Sequence, residues 1–169
     1  MSARSRQTNE QMKAASRDRI LASARTLFAE KGYFACRMAD IAARAGMSAG
    51  NVYWRFDSKE AILKAILADG FGALESMTAE VAEAPGTGRD KVSLLVERTI
   101  GLYDTHAEFA VILATLLGRG GQELIRSLGF DMAAIGGRYH ANLARVFAQA
   151  RQEGSVADVE PDLLVACFF

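Results

Sequence analysis

The sequence predicts an all-α protein in which an N-terminal three-helix helix-turn-helix domain precedes a larger helical domain. Three observations support this fold class. Strand signals are nearly absent, with no hairpin dipeptide between alternating apolar runs. Apolar residues recur instead at helical spacing along most of the chain. Residues 36–60 combine two short apolar-striped helices, a glycine turn and serine caps, which is the pattern of a helix-turn-helix.

The N-terminal residues are predicted to form a polar, basic and mobile arm over 1–15, followed by the first helix. Ser16 is the candidate N-cap of this helix, and Gly32 is the candidate glycine just after its end. Five apolar residues between them share one helical face. They are Ile20, Leu21, Ala24, Leu27 and Phe28.

The next two helices form the helix-turn-helix itself. The second helix is predicted over Arg37–Ala45, and Gly46 supplies the positive φ that the turn requires. Ser48 is the predicted N-cap of the third helix, where Val52 and Phe56 face inward at a spacing of four. The predicted DNA-binding domain is therefore 16–62, with a core on one side of each short helix.

The larger domain is predicted over 63–169 and is helical throughout. A fourth helix starts after a cap at Asp57 or Ser58 and can run to about Glu83, before the break APGTG at 84–88. The further helices are predicted over 90–106, with Asp90 as cap, over 107–117, over 122–152 with breaks near Gly129 and Gly136–Gly137, and near Pro161. The last segment ends in an apolar run without a stop signal, so we expect the C-terminus to be truncated within a helix.

Charge is divided unevenly between the two predicted domains. The 169-residue chain is neutral, with 20 basic and 20 acidic side chains. Residues 1–62 contain 11 Lys and Arg against 6 Asp and Glu, a net charge of +5. Residues 63–169 contain 9 against 14, a net charge of −5. This division indicates that only the N-terminal part meets a polyanion.

Cysteine usage and hydropathy favour a cytoplasmic protein without membrane contact. Cys36 and Cys167 lie far apart with no partner spacing, so we expect neither a disulfide framework nor a zinc site. The polar N-terminus has no apolar segment of the kind that a secretory signal contains. The longest largely apolar stretch, Phe109–Leu117, is interrupted only by Thr115 and is about half the length that a bilayer span needs.

Residues 16–63 resemble the N-terminal domain of the TetR family of bacterial transcriptional repressors. The resemblance rests on IL, A, LF and EKGY within 20–33, and on MADIAARAGMSAGNVYWRFDSKE at 38–60. It is dense and free of gaps over the first third of the chain, whereas beyond residue ~65 only helix number and order are similar. The resemblance implies a homodimer that binds a double-stranded DNA operator and a larger domain that dimerises and binds a small-molecule effector.

The third helix carries residue types that are suited to DNA. Ala49 and Gly50 are small, so the helix N-terminus can approach a phosphate with its free N–H groups and positive dipole end. The amide of Asn51 can pair with an adenine edge. Tyr53 offers a hydroxyl to a phosphate and a ring to a thymine methyl group or a sugar. The indole of Trp54 can donate one hydrogen bond.

The resemblance implies further residues at the DNA surface. In that family the positions matching Ser48, Asn51, Tyr53, Trp54 and Lys59 lie there, and Lys59 would meet the backbone as a point charge. Arg37 matches a position that faces phosphate. The family commonly has threonine at the position of Cys36, where it caps the second helix. Cysteine is a poor cap, and we expect Arg37 to replace the lost phosphate contact.

Several side chains near this helix are predicted to be structural. Met38, Ile41, Val52 and Phe56 belong to the core by their spacing, and Tyr53 can serve both as a buried anchor and as a DNA contact. Arg44 and Arg55 are expected to be solvated or to pair with Asp40 or Asp57.

Aromatic and polar side chains within the apolar C-terminal pattern are the candidate effector contacts. They are Tyr103, His106, Phe109, Tyr139 and His140, with Asn142 as a further polar candidate. The effector is expected to be small and apolar. The alternative for each of these side chains is that it simply fills the core.

Catalysis is not expected, and the sequence indicates no cofactor and no metal. The two histidines, His106 and His140, lack metal-ligand spacing and an obvious Cys or carboxylate partner. No glycine-rich phosphate loop follows a strand. Two alternatives stay open: a helical sensor or interaction protein that does not bind DNA, and a small helical enzyme that uses one of these histidines.

Overall fold

The computed structural model of the protein describes residues 3–118 and 120–156, with the side chains of 3–9 and 103–105 excepted. Within these ranges every regular element is an α-helix, which confirms the predicted fold class. The helices are α1 (Ala3–Lys31), α2 (Met38–Ala45), α3 (Ala49–Arg55), α4 (Lys59–Glu83), α5 (Gly88–Gly118), α6 (Gln122–Ser127) and α7 (Met132–Gln152).

Helix α1 begins at Ala3, so the prediction that Ser16 is its N-cap is wrong. Ser16 lies inside the helix, where its hydroxyl donates to the carbonyl of Met12 at 2.8 Å, one turn earlier. The preceding residues contain no glycine or proline and include good helix formers such as Gln, Met, Lys and Ala, so nothing stops the helix there. The predicted end is confirmed, because Gly32 follows the helix with φ of +81°.

Helix α4 begins after Ser58, which resolves the choice between two caps. The hydroxyl oxygen of Ser58 accepts from the backbone N–H of Ala61 at 3.2 Å. The helix then continues to Glu83 through Gly72, as predicted. A well-capped start and apolar residues that are buried on both sides of this glycine outweigh its low helix propensity.

Helix α5 consists of two helical segments separated by a kink, as the sequence predicted. Its backbone leaves helical geometry at His106, with φ of −129° and ψ of 24°, which is where the predicted helices met. Its start differs from the prediction, because Thr87 and not Asp90 precedes the first turn. The Asp90 carboxylate accepts from the Thr87 N–H at 2.9 Å, and the Thr87 hydroxyl accepts from the Asp90 N–H at 3.2 Å. Asp90 is the third helical residue of a capping box and is not the cap.

The stretch after α5 contains one of the two predicted breaks. Gly129 separates α6 from α7 with φ of +88°, as predicted. The Asp131 carboxylate then caps α7 by accepting from Ala134 N–H at 3.0 Å. The break at Gly136–Gly137 was wrong, because α7 runs through both. Buried residues later in α7 stabilise this turn against the glycine cost of about 1 kcal/mol each. The predicted helix near Pro161 lies outside the described residues.

The described chain divides into two compact units. The first unit contains the residues up to Ala68 together with Glu108–Gln122, and the second contains Asp69–Ala107 and the residues from Glu123 onward. These units divide α4 after Ala68, and the domain boundary at 62/63 stays a prediction. The C-terminal part of α5 belongs to the first unit, although its sequence position suggested the larger domain.

The core of the first unit is built from the predicted apolar face of α1 and from the inward faces of α2, α3 and α4. Ile20, Ile41 and Val52 are completely buried in it. The C-terminal part of α5 contributes Ile112 and Leu116. A hydrogen bond of 2.7 Å from the Thr26 hydroxyl to the Glu108 carboxylate links this segment to α1.

The core of the second unit joins α4, α5 and α7. Its buried residues are Met77, Val81, Ala82, Leu95, Tyr139, Leu143, Val146 and Phe147. Polar pairs flank it, with Arg138 bonded to Glu75 and Arg145 bonded to Glu83. Because the partners increase together along both helices, α4 and α7 run parallel. These exposed pairs contribute little stability individually, so the apolar cluster dominates.

No single helix within 3–118 and 120–156 is long and apolar enough to cross a bilayer. The segments Gly88–Leu102 and His106–Gly118 meet the requirements of length and composition only when they are taken together across the break between them.

Gly88 allows the start of α5 to touch α7. A Cβ atom at this position would lie 2.3 Å from the Cα atom of Ala150, and the Gly88 N–H donates to the Glu153 carboxylate. We expect Gly88→Ala to lower the free energy of unfolding by about 1–3 kcal/mol, because the two backbones must separate. Thermal unfolding followed by circular dichroism measures this change.

Gly72→Ala is the matched control, because a Cβ atom at this helical position meets nothing within 4 Å. This substitution is expected to stabilise the protein by about 0.5–1 kcal/mol. Equal melting temperatures for the two variants would contradict the close contact at Gly88.

Candidate nucleic-acid interface

The turn between α2 and α3 contains three residues and matches the sequence prediction. Gly46 ends α2 with φ of +63°, in the left-handed region that favours glycine. The N–H of Met47 donates back to the carbonyl of Ala42 at 2.9 Å, which closes the end of α2. Ser48 then caps α3, because its hydroxyl oxygen accepts from the N–H of Asn51 at 3.2 Å. The predicted helix-turn-helix is confirmed.

Side chains bind the backbone at both ends of α2, one from within the helix and one from α1. At its N-terminus, the Asp40 carboxylate accepts from the backbone N–H of Arg37 at 2.9 Å. At its C-terminus, the Arg19 guanidinium on α1 donates to the carbonyl of Ala45. Each charge also has the sign that the helix dipole favours at that end. These two contacts position α2, and with it the turn that leads to α3.

Cys36 does not occupy the capping position that the resemblance implied. Arg37 is the N-cap residue of α2 by its backbone angles, and Cys36 precedes it. The Cys36 side chain is 1% exposed, and this burial raises the pKa of its thiol. The Asp40 carboxylate accepts from the Arg37 N–H, which is a different bond from the one that a threonine cap makes to the first turn. Cys36 is a core residue.

Helix α3 has one buried face and one exposed face. Val52 is 0% exposed and Phe56 is 8% exposed, so both predicted core positions are confirmed. Tyr53 and Trp54 are 51% and 68% exposed, which is unusual for large aromatic side chains. Ser48, Ala49, Gly50 and Asn51 are also exposed, so the helix presents its N-terminus and these two rings on one accessible surface.

Arg55 adds a cation to this surface. Its guanidinium carbon lies 4.3 Å from the centroid of the Trp54 ring, a cation–π distance. Arg55 and Arg44 were expected to be solvated or to pair with Asp40 or Asp57. Arg44 instead pairs with Glu30 at 3.3 Å, and Arg55 stacks on Trp54. A cleft of about 190 Å³ lies beside the stacked pair. Its lining residues are Ser16, Met47, Asn51, Trp54 and Arg55.

Lys59 contacts the protein itself. Its ammonium donates to the backbone carbonyl oxygens of Tyr33 and Cys36 at 2.9 and 2.8 Å. It also lies 4.3 Å from the centroid of the Tyr33 ring. The resemblance implied that Lys59 meets the DNA backbone as a point charge, and that prediction did not include these contacts within the protein. Arg37, by contrast, is exposed next to the start of α2.

Tyr33 and Glu60 form a second polar link at the same place. The buried Tyr33 hydroxyl donates to the Glu60 carboxylate at 2.8 Å. Burial, and then this bond, raise the pKa of Tyr33 far above its usual range. The same bond is the main cause that lowers the pKa of Glu60. The phenol stays neutral and the carboxylate stays charged at neutral pH, which is the state in which the bond is strongest.

The candidate effector residues are divided between the two units. Phe109 is buried in the first unit, and Tyr139 is buried in the core of the second. His106 and His140 are half-buried in the second unit. The Tyr103 side chain lies outside the described residues. Asn142 donates to the Thr78 hydroxyl at 3.3 Å, so this candidate has a structural partner.

Sequence reasoning missed Arg19, Tyr33, Asp40 and Glu60. Asp40 was detectable, because an acidic residue at the third helical position indicates a capping box. Arg19 bonds to a residue 26 positions later, and Tyr33 bonds to one 27 positions later. No local pattern reports such distant pairs. In the part of the chain that the structure describes, no group of three or more His, Cys, Asp or Glu side chains could hold a metal ion.

A capped pair of short helices, the second of which exposes its N-terminus, an amide and two aromatic rings, defines a helix-turn-helix protein of the DNA-reading kind. Residues 20–66 match the family model described as bacterial regulatory proteins, tetR family. The match covers the N-terminal domain, so this domain is similar to the DNA-binding domain of that family.

Relatives with functional names support the same family. The HTH-type transcriptional repressor KstR2 of Rhodococcus jostii (strain RHA1) is 39% identical over 83 residues, which cover 49% of this chain and 39% of that protein. The fatty acid metabolism regulator protein of Bacillus subtilis (strain 168) is 26% identical over 105 residues, which cover 62% of this chain and 54% of that protein. The matches therefore span about half or less of each relative.

Among solved structures, the MbdR regulator from Azoarcus sp. CIB is similar to this chain with a TM-score of 0.75 at 25% identity. The match covers 90% of this chain and 80% of that one. The resemblance in fold therefore extends beyond the N-terminal domain.

Because the pKa of Glu60 is lowered on folding, its contribution to stability is present above the unfolded pKa of about 4.3 and is lost as pH falls through the folded value. We expect Glu60→Gln to lower the melting temperature at pH 7, and this effect to shrink as the pH falls through the folded pKa of Glu60. Thermal unfolding as a function of pH measures the difference. A difference that is constant with pH would contradict the role of the Tyr33 bond.

Proposed function

We propose that this chain is a DNA-binding regulator of transcription, which acts as a repressor at a near-palindromic operator. The observation that carries the proposal is the capped α2–turn–α3 unit, whose exposed side presents the α3 N-terminus, Asn51, Tyr53 and Trp54. The net charge of +5 over residues 1–62 supports contact with a polyanion. Relatives named as a transcriptional repressor and as a metabolic regulator support regulation over catalysis.

In this proposal α3 enters the major groove with its N-terminus first. Phosphate contacts come from the free N–H groups around Ala49 and Gly50, and from Arg37 at the start of α2. These contacts fix the register of the protein but carry no sequence information. Base readout comes from Asn51, whose amide can make two hydrogen bonds to adenine. Tyr53 and Trp54 supply contacts to sugar, phosphate and thymine methyl groups.

Two copies of the chain are proposed to bind one operator. A single seven-residue recognition helix reads only a few base pairs, which is too little information for a specific site. A two-fold dimer places two such helices in successive major grooves, about 34 Å apart, and doubles both the contacts and the specificity. The operator should then be a near-palindrome with half-sites one helical turn apart.

A small apolar effector is proposed to release the operator. The relative from Bacillus subtilis is named a fatty acid metabolism regulator, which supports a fatty or similarly apolar molecule as the effector class. Helix α4 contributes residues to both units, so a change in the second unit has one helix along which to reach the first. Movement of α4 would alter the spacing of the two recognition helices.

Asn51→Ala tests the placement of the recognition helix. The probe is the strongest duplex recovered when the full chain selects from a random-sequence library. The variant should lose discrimination at one base position by about 1–3 kcal/mol, because the amide that distinguishes adenine is gone. Fluorescence anisotropy against duplexes that carry each single substitution measures this loss. Asn142→Ala removes the same side chain from the second unit and should leave base preference unchanged.

Failure to select any sequence, or binding that does not weaken as salt rises, would overturn the proposal. Unaltered base preference in Asn51→Ala would refute the assignment of this residue alone.

The effector class is tested with saturated fatty acids of increasing chain length. A ligand at about 100 times its dissociation constant stabilises the native state by about 2.7 kcal/mol, so the melting temperature should rise for the longer chains. The same acids should release the selected duplex in an anisotropy experiment. Acetate is the control, since it carries the carboxylate without the apolar chain. Release by acetate and long chains alike would indicate a charge effect and contradict an apolar effector.

A further inference from the structure

The ammonium of Lys59 occupies a site made by the polypeptide backbone. Two of its three N–H donors bond to the carbonyl oxygens of Tyr33 and Cys36, at 2.9 and 2.8 Å. The side chain is half-buried, and the charge also faces the Tyr33 ring, 4.3 Å from its centroid. Two of the three N–H donors of Lys59 are therefore used within the protein, which leaves at most one donor for a phosphate.

The neighbouring residue on α4 holds the same tyrosine from its other end. Glu60 accepts from the Tyr33 hydroxyl at 2.8 Å, while Lys59 binds the Tyr33 carbonyl and lies over its ring. Tyr33 is also fixed from the α1 side, where its ring meets that of Phe28 edge-on with centroids 5.2 Å apart. The start of α4 thus contacts the hydroxyl, the carbonyl and the ring of Tyr33, and the carbonyl of Cys36. Both residues belong to the α1–α2 turn, residues 32–37.

The α1–α2 turn, whose carbonyl groups accept from Lys59, is followed directly by α2. The residue after Cys36 is Arg37, the N-cap of α2 and the proposed phosphate contact. The carbonyl groups of a turn have no partners in a helix or sheet ladder, and an ammonium that binds two of them restricts how far this turn can move. The position at which α2 begins is therefore tied to the position of α4.

We propose that Lys59 is a positioning residue of the DNA reader: its ammonium clamps the α1–α2 turn to the start of α4 and so holds Arg37 and α2 in place. The inference rests on the proposed function and deepens it, because it assigns Lys59 an indirect role where the resemblance implied a direct phosphate contact. Movement of α4 also moves the clamp, and with it the N-terminus of α2.

Lys59→Arg separates the two roles, because it keeps the positive charge. A guanidinium is a good phosphate ligand, so a direct contact would survive with affinity for the selected duplex intact. A guanidinium is longer and planar, so it fits less well than a compact ammonium between these two carbonyls and the ring. We therefore expect the melting temperature to fall by several degrees and affinity to fall about tenfold. The slope of log affinity against log salt should stay unchanged, since no charge is lost.

Affinity is measured far below the melting temperature, where circular dichroism shows each variant to be folded. Under these conditions a residue that only stabilises the fold would leave affinity unchanged. Thr26→Val is the control for stability, because it removes the bond to Glu108 elsewhere in the first unit and should lower the melting temperature without changing affinity. Arg37→Met is the control for a direct contact and should lower the salt slope by about 0.9 at an unchanged melting temperature.

Wild-type melting temperature and affinity in Lys59→Arg would overturn the clamp. A lower melting temperature with wild-type affinity would reduce Lys59 to a structural residue and also overturn its positioning role. If the wild-type chain selects no duplex, the proposed function fails and the positioning role fails with it. The fall in melting temperature of Lys59→Arg would still reveal the clamp in that case, so the two failures can be told apart.

Discussion

The architecture of the N-terminal unit depends on how the ends of two very short helices are satisfied. Helices α2 and α3 contain eight and seven residues, well below the length at which a helix is stable in water. In helices this short nearly every backbone group lies in a terminal turn. Side chains supply partners at these ends: Arg19 of α1 binds the end of α2, Asp40 within α2 binds its start, and Ser48 caps α3. The exposed face of α3 can be rich in polar and aromatic groups because its stability comes from these caps and from Val52.

The success of sequence reasoning here follows the range of each interaction. The helix-turn-helix was predictable because its signals are local: Gly46 for the positive φ, Ser48 for the cap, and Val52 with Phe56 for the buried face. The start of α1 was missed because Ser16 is equally suited to a cap and to the inside of a helix. The contacts of Lys59 could not be predicted, because its carbonyl partners lie 26 and 23 positions away. The sequence could not separate candidate effector contacts from core residues, because aromatic residues of both kinds have the same helical spacing.

A division of labour between the two units agrees with their chemistry. The first unit places charged and aromatic groups around α3, and its polar bonds are concentrated at helix ends. The second unit is held by an apolar cluster between α4, α5 and α7, with polar pairs on its exposed edges. Helix α5 departs from helical geometry only at His106, next to the point where the chain returns to the first unit. A change of backbone conformation at His106 costs little free energy, because this residue already lies outside helical geometry.

Because Cys36 is buried, the reactivity of its thiol can report on local opening of the N-terminal unit. A thiol with 1% exposure and a raised pKa reacts with alkylating reagents only when the surrounding turn opens. Its rate of alkylation therefore measures the opening equilibrium of the segment that begins α2, without any label. A ligand or a duplex that holds this segment closed would slow the reaction, and one that loosens it would accelerate the reaction. Mass spectrometry of the peptide around residue 36 would read this motion directly in the unmodified protein.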